Sequence, residues 1–132
     1  MIEIKGLSKS YGTKDALLGV DLTIPQGEIL GLFGENGAGK TTTTLMLTGL
    51  TEPTEGTALI GGLDCVRDTM KVKKTVGYMP DNVGFYPDMT GRENLRFTGR
   101  LNGLDEKTIR EKTEELLERV GRKRGMLISG GE

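Results

Sequence analysis

The sequence contains no histidine. That removes the Ser-His nucleophile pair, the imidazole general base and the commonest zinc ligand together. It contains one cysteine, Cys65, so no internal disulfide can form, which fits a reducing compartment. Nothing beside Cys65 suggests a depressed thiol pKa, and it reads as a packed residue rather than a reactive one. No apolar run approaches the roughly 20 residues of a membrane-spanning helix. The opening stretch, MIEIKGLSKSYG, lacks a secretory pattern, and the single cysteine fits a cytoplasmic location. Net charge is only -1, which gives no global case for binding nucleic acid. Basic residues do gather at Arg119, Arg122, Lys123 and Arg124, as at a solvated helix end favoured by the helix dipole. What is present is 132 residues, 35% hydrophobic and 28% charged, the balance of one soluble folded domain.

No repeat or low-complexity tract interrupts the chain. Ile2 and Ile4 alternate with Glu3 and Lys5, which predicts a strand with one exposed face over MIEIKGLSKSY. ALLGVDLTI predicts a second strand ending at Pro25. The run Glu28 to Phe33, EILGLF, has no polar face and predicts a short buried strand. A glycine-rich loop and a helix, KTTTTLMLTGL, follow, with Gly49 near the helix end. TALIGG predicts another strand, Val66 to Lys74 a partly helical connection, and Thr75 to Met79 a further strand stopped by Pro80. Helices then take over. Thr90 with Glu93 forms a capping-box pattern. Ile109, Thr113, Leu116, Leu117 and Val120 share one face of a helix that Asp105 can cap and Gly121 can end.

The chemistry concentrates in GENGAGKT, comprising Gly34, Glu35, Asn36, Gly37, Ala38, Gly39, Lys40 and Thr41. It matches G-x-x-x-x-G-K-[ST], with an apolar run before it and a helix after it. Glycines let the backbone turn tightly and approach a ligand. Successive N–H groups then form an anion nest, and the helix start adds its own free N–H groups and positive dipole end. Lys40 can reach the β- and γ-phosphates of a nucleoside triphosphate, and Thr42 the α-phosphate. The Thr41 hydroxyl is placed to ligate Mg²⁺. The motif itself does not choose the base. No Asn-Lys-x-Asp guanine motif is present.

With that loop in place, the chain resembles the ATP-binding domain of ABC transporters, from its start to about Gly121. The resemblance rests on LSKSYGTKDALLGVDLTIPQGEILGLFGENGAGKTTTTLMLTGLTEPTEGTALIGG, then VGYMP, then YPDMTGRENLRFTGRL. The last stretch is most similar to ATPase subunits of export systems, of the multidrug and ABC-2 type. The resemblance implies ATP and Mg²⁺ as ligands, with Tyr11 standing where the family's aromatic residue stacks on adenine. Taken without it, a tyrosine after a strand reads as packing. Val20 is a second candidate for contact with the base. Implied partners are a membrane-spanning subunit and a second ATP-binding subunit, a homodimer in the full-length protein, at the inner face of the cell membrane.

The chain departs from the family pattern in three places. The Q-loop glutamine is replaced by Asp81-Asn82; Asp81 is either a metal-proximal carboxylate or part of a turn-forming Pro-Asp-Asn. The terminal ISGGE resembles the family's signature motif, in which Ser129, Gly130 and Gly131 would contact a partner's nucleotide. Its short distance from Gly121 leaves a glycine-rich tail as the equal alternative. No Asp-Glu strand or switch histidine is found, so no catalytic residue is evident and little or no hydrolysis is expected. The expected fold is α/β: an incomplete P-loop NTPase core with an N-terminal antiparallel β layer, and a C-terminal helical subdomain. The division expected is 1–80 for the nucleotide-binding part and 81–132 for the Q-loop-like segment and helices. The alternative to a transporter ATP-binding subunit is a non-catalytic interaction or regulatory module derived from one.

Overall fold

The computed structural model describes residues 1–81 and 83–121. The chain divides into two compact units, Met1–Met79 and Pro80–Glu132.

The first unit is built on a four-stranded antiparallel sheet in the order β2-β1-β3-β4. Strands β1 (Ile2–Tyr11) and β2 (Lys14–Ile24) form a long hairpin, closed by Gly12 and Thr13, with Tyr11 opposite Lys14. Strand β3 (Glu55–Ile60) lies on the other side of β1 and returns as the short β4 (Leu63–Asp64). Simple alternation would bury Ile2, Ile4 and residue 6. Instead Ile4 and Leu7 are buried, because the register of β1 slips between them. The Asp21 carboxylate accepts the Gly6 N–H at 2.8 Å within that slip.

Helices α1 (Lys40–Leu47) and α2 (Thr69–Thr75) complete the unit. Ile4, Leu7, Met46, Ala58, Cys65 and Val72 make one core, drawing on β1, β3, the residue after β4 and both helices. Leu7, Met46 and Val72 are its fully buried large side chains, each stabilising the unit by about 1.5–3 kcal/mol. Cys65 is part of this core, with its Sγ 3.3 Å from the Leu47 carbonyl oxygen. Burial pushes its thiol pKa up, and the neighbouring Asp64 charge adds to this.

Two expected strands are absent. Glu28 to Phe33 forms no regular element and pairs with no strand among the described residues. Ile29 and Phe33 are 101% and 92% exposed, so the predicted buried strand is a solvated segment. An apolar run specifies a buried strand only where neighbours supply both hydrogen-bond ladders and both covering faces, and none is supplied here. Residues 76–79 are likewise unpaired, with Met79 84% exposed. Strand β4, by contrast, was not evident in the sequence; the Gly61-Gly62 turn creates it by folding Leu63 back onto Ile60.

The second unit is a pair of helices, α3 (Gly91–Leu101) and α4 (Glu106–Arg119). Thr90 and Glu93 form the full capping box at the start of α3, and the Asp105 side chain caps α4 by accepting the Thr108 N–H. The helices touch where Gly99 meets Ile109; a Cβ on Gly99 would stand 2.8 Å from Ile109 Cγ1. An Arg92–Glu114 ion pair joins them at a second point. Of the predicted apolar face, Ile109 and Thr113 are buried and Leu117 is half-buried, while Leu116 and Val120 are exposed.

Candidate functional site

The glycine-rich loop runs into α1 through Gly39, the residue before the first helical turn. Gly39 has φ 83°, a left-handed conformation that side chains rarely adopt. It also lies against the β1–β2 hairpin: a Cβ there would stand 2.6 Å from the Ala16 carbonyl oxygen and 2.8 Å from Leu17 Cδ1. Gly37, at φ 90°, has open space around its α-carbon, so its requirement is conformational only. Between them the Ala38 N–H donates to the Glu35 carbonyl at 3.1 Å, which tightens the turn over Glu35, Asn36, Gly37 and Ala38.

Lys40 folds back over this turn. Its ammonium donates to the carbonyls of Gly34 and Glu35, both at 2.6 Å. The cation is thereby held against the carbonyls at the start of the loop, and the loop leads directly into the N–H groups that open α1. Those first N–H groups have no partner within the helix. The first turn of α1 carries no acidic residue, so nothing on the helix offsets its positive end.

The run of four threonines divides by function. The Thr43 hydroxyl donates to the Gly39 carbonyl at 2.9 Å and the Thr44 hydroxyl to the Lys40 carbonyl at 3.1 Å. Both are spent on the helix itself. Among the described residues, no hydrogen bond engages the hydroxyl of Thr41 or Thr42. Thr41 is exposed and Thr42 half-buried. The arrangement thus presents one cation, a row of free N–H donors and two uncommitted hydroxyls. These are the donors a polyphosphate and its metal ion require. A ligand able to use them is anionic and narrow enough to meet backbone.

Tyr11 ends β1 at the same end of the hairpin that packs on Gly39, and its side chain is 52% exposed. Val20 lies opposite Leu7, further along the hairpin, whereas Ala16 and Leu17 are the β2 residues against the loop. That buttress was not legible in the sequence. It follows from the pairing of β2 with β1, which brings Leu17 opposite Lys9. The segment before the loop reaches it as exposed, unpaired chain, not as the predicted strand. Asp81 is exposed in a bend that opens the second unit. Ser129, Gly130 and Gly131 lie outside the described residues, as do Arg122, Lys123 and Arg124.

The second unit contributes a cavity of about 240 Å³ at α3, lined by Met89, Glu93, Arg96, Phe97 and Arg100. Among the described residues, no helix is long and apolar enough to cross a membrane.

Comparison with known proteins bears on the family and the fold. The family model described as "ABC transporter" matches residues 17–132. The linearmycin resistance ATP-binding protein LnrL of Bacillus subtilis (strain 168) is 36% identical over 92% of this chain. The chain spans about two-fifths of that relative's length, 39%. The ATP binding subunit of an ABC transporter superposes with a TM-score of 0.77 at 30% identity, over 96% of this chain and 54% of that one. A bacterial ABC transporter cassette solved as a dimer gives a TM-score of 0.70 at 25% identity, over 94% and 59%. With the loop, its helix and the antiparallel layer all accounted for, the chain belongs to the ABC transporter ATP-binding family.

Proposed function

We propose that this chain binds Mg·ATP at the Gly34–Thr42 loop and forms part of the ATP-binding subunit of an export-type ABC transporter. The observation that carries the reading is the set of groups at the start of α1. Lys40 is at the loop mouth, Gly39 is pressed on the hairpin, and the Thr41 and Thr42 hydroxyls are free while Thr43 and Thr44 are not. These residues fit the group: N–H donors and Lys40 for the phosphates, and the Thr41 hydroxyl as an oxygen ligand for Mg²⁺. Bound Mg²⁺ would neutralise phosphate charge. Tyr11 is the proposed platform for adenine, and Asp81 a second proposed oxygen ligand for the metal.

Export is supported by the resistance function in the name of the related LnrL protein. Pairing with a second ATP-binding subunit is supported by the dimeric cassette of the same fold. A membrane-spanning partner on the cytoplasmic side is the family's arrangement. The α3 cavity, lined by apolar Met89 and Phe97 and by charged Glu93, Arg96 and Arg100, is the proposed place for that contact. Ser129, Gly130 and Gly131 are proposed to reach a partner's nucleotide. No side chain of the chain is assigned as the group that activates water, and the expected activity is binding with little or no hydrolysis.

Titration with a fluorescent ATP analogue tests the reading. Saturable, Mg²⁺-dependent binding that Lys40→Ala abolishes is expected; identical curves for both proteins would remove the nucleotide site. The exposed run Ile29, Leu30, Leu32 and Phe33 favours a second reading, an interaction module that no longer uses nucleotide. Co-purification with a partner, unaffected by ATP or by Lys40→Ala, would select it.

A further inference from the structure

Lys9 is remote in sequence from the phosphate loop. Its ammonium stands 5.0 Å from the centroid of the Tyr11 ring, over the ring face. Residues i and i+2 of a strand share a face, which is what allows this contact. The same ammonium donates to the Glu52 carbonyl at 2.8 Å. Glu52 follows directly on the turns that close α1, where the N–H groups of Leu50 and Thr51 both donate to the Leu45 carbonyl. Lys9 is therefore fixed from both sides, by the exit of the phosphate-loop helix and by the aromatic ring.

The backbone around it is equally tied. The Ser10 N–H donates to the Thr54 hydroxyl at 3.0 Å, the Thr54 N–H to the Ser8 carbonyl at 2.9 Å, and the Ser10 hydroxyl to the Asp15 carboxylate at 2.7 Å. These bonds set the strand that bears Tyr11 but do not touch its ring. Among the described residues, no hydrogen bond engages the Tyr11 hydroxyl, and the Lys9 ammonium is the charged group over its ring. A cation on one face of an aromatic ring is attracted to it and limits its rotation, leaving the opposite face for a flat ligand.

We propose that Lys9 is a positioning residue for nucleobase binding. It holds the Tyr11 ring in the orientation that receives the base and ties that ring to the helix that receives the phosphates. The proposal rests on the reading of Tyr11 as the base platform. It extends that reading to a residue with no contact to the nucleotide.

The test compares two probes on this chain, ATP and inorganic tripolyphosphate, each with Mg²⁺. Lys9→Met keeps the length of the side chain and removes the charge. It is expected to weaken ATP binding about two- to fivefold, the range of an exposed cation–π contact, and to leave tripolyphosphate binding unchanged. Lys9→Arg, which keeps the cation, is expected to restore ATP binding. In a Tyr11→Ala background Lys9→Met is expected to have no further effect on ATP. Equal losses for both probes would overturn the proposal, since they would reflect general charge or damaged structure. So would a Lys9→Met loss that persists without the Tyr11 ring. If Tyr11→Ala weakens ATP binding but Lys9→Met does not, the positioning role alone fails. If Tyr11→Ala leaves ATP binding intact, the base platform fails and the Lys9 proposal with it.

Discussion

Asn94 holds Tyr86 by both polar groups of its backbone. The Asn94 Oδ1 accepts the Tyr86 N–H at 2.9 Å, and Nδ2 donates to the Tyr86 carbonyl at 3.1 Å. Nδ2 also reaches the carbonyls of Met89 and Thr90, both at 3.2 Å. The side chain is 5% exposed, and the Tyr86 and Phe97 rings meet edge to face at 5.0 Å beside it. One amide thus folds the segment 86–90 onto the start of α3. Asn94→Ala should destabilise the second unit by about 0.5–1.5 kcal/mol, because it strips partners from partly buried backbone groups. Faster hydrogen exchange at the Tyr86 amide, with α4 amides less affected, would check this.

Gly39 should tolerate no side chain. Gly39→Ala meets both a left-handed φ and the Ala16 carbonyl, and backbone must move to relieve it. The conformational part alone costs about 1–2 kcal/mol. Gly37→Ala incurs only that part, since its surroundings are open. Urea midpoints should therefore fall further for Gly39→Ala than for Gly37→Ala.

The threonines should separate in their metal dependence. Thr41→Val removes an uncommitted hydroxyl, and the gain in ATP affinity on adding Mg²⁺ should drop roughly tenfold or more. Thr43→Val removes one already bonded to Gly39, so its effect should be on stability and not on the response to Mg²⁺. Isothermal titrations with and without Mg²⁺ distinguish the two.

Stability should fall in acid. Backbone N–H groups of Arg67 and Val66 hold the Asp64 carboxyl below its ordinary range. Bonds from Thr90 do the same for Glu93, and bonds from Thr108 for Asp105. Each folded-state pKa lies below the unfolded one, so the unfolded chain binds more protons through this range. The stabilisation is complete above about pH 4–4.5 and is lost as pH falls through the lowered folded values. Urea midpoints at pH 7 and pH 3 measure it, and Asp64→Asn together with Glu93→Gln should flatten the difference.

The parts of the molecule legible in the sequence are those whose cause is local. Thr90 with Glu93, Asp105 before α4, and the glycine–lysine–threonine spacing at 34–41 each act within a few residues and stand where the sequence places them. The run Glu28 to Phe33 failed as a strand because hydrophobicity states a preference for burial and not the presence of a neighbour. The slip in β1 exchanged residue 6 for Leu7 in the core, and alternation carries no mark of it. Ala16, Leu17 and Lys9 gained their positions from pairing between strands or from chain more than forty residues away, which no motif encodes.

The bonds from Lys40 to Gly34 and Glu35 close a ring. The backbone from 34 to 40 forms most of its circumference, and one ammonium forms the clasp. A ring closed before the ligand arrives has already met much of the entropy cost of ordering the loop. On the proposed reading, phosphate would enter a host already closed by that clasp. On that reading Lys40 would work twice on one site, first as the element that keeps the host in shape and then as a charge offered to the guest.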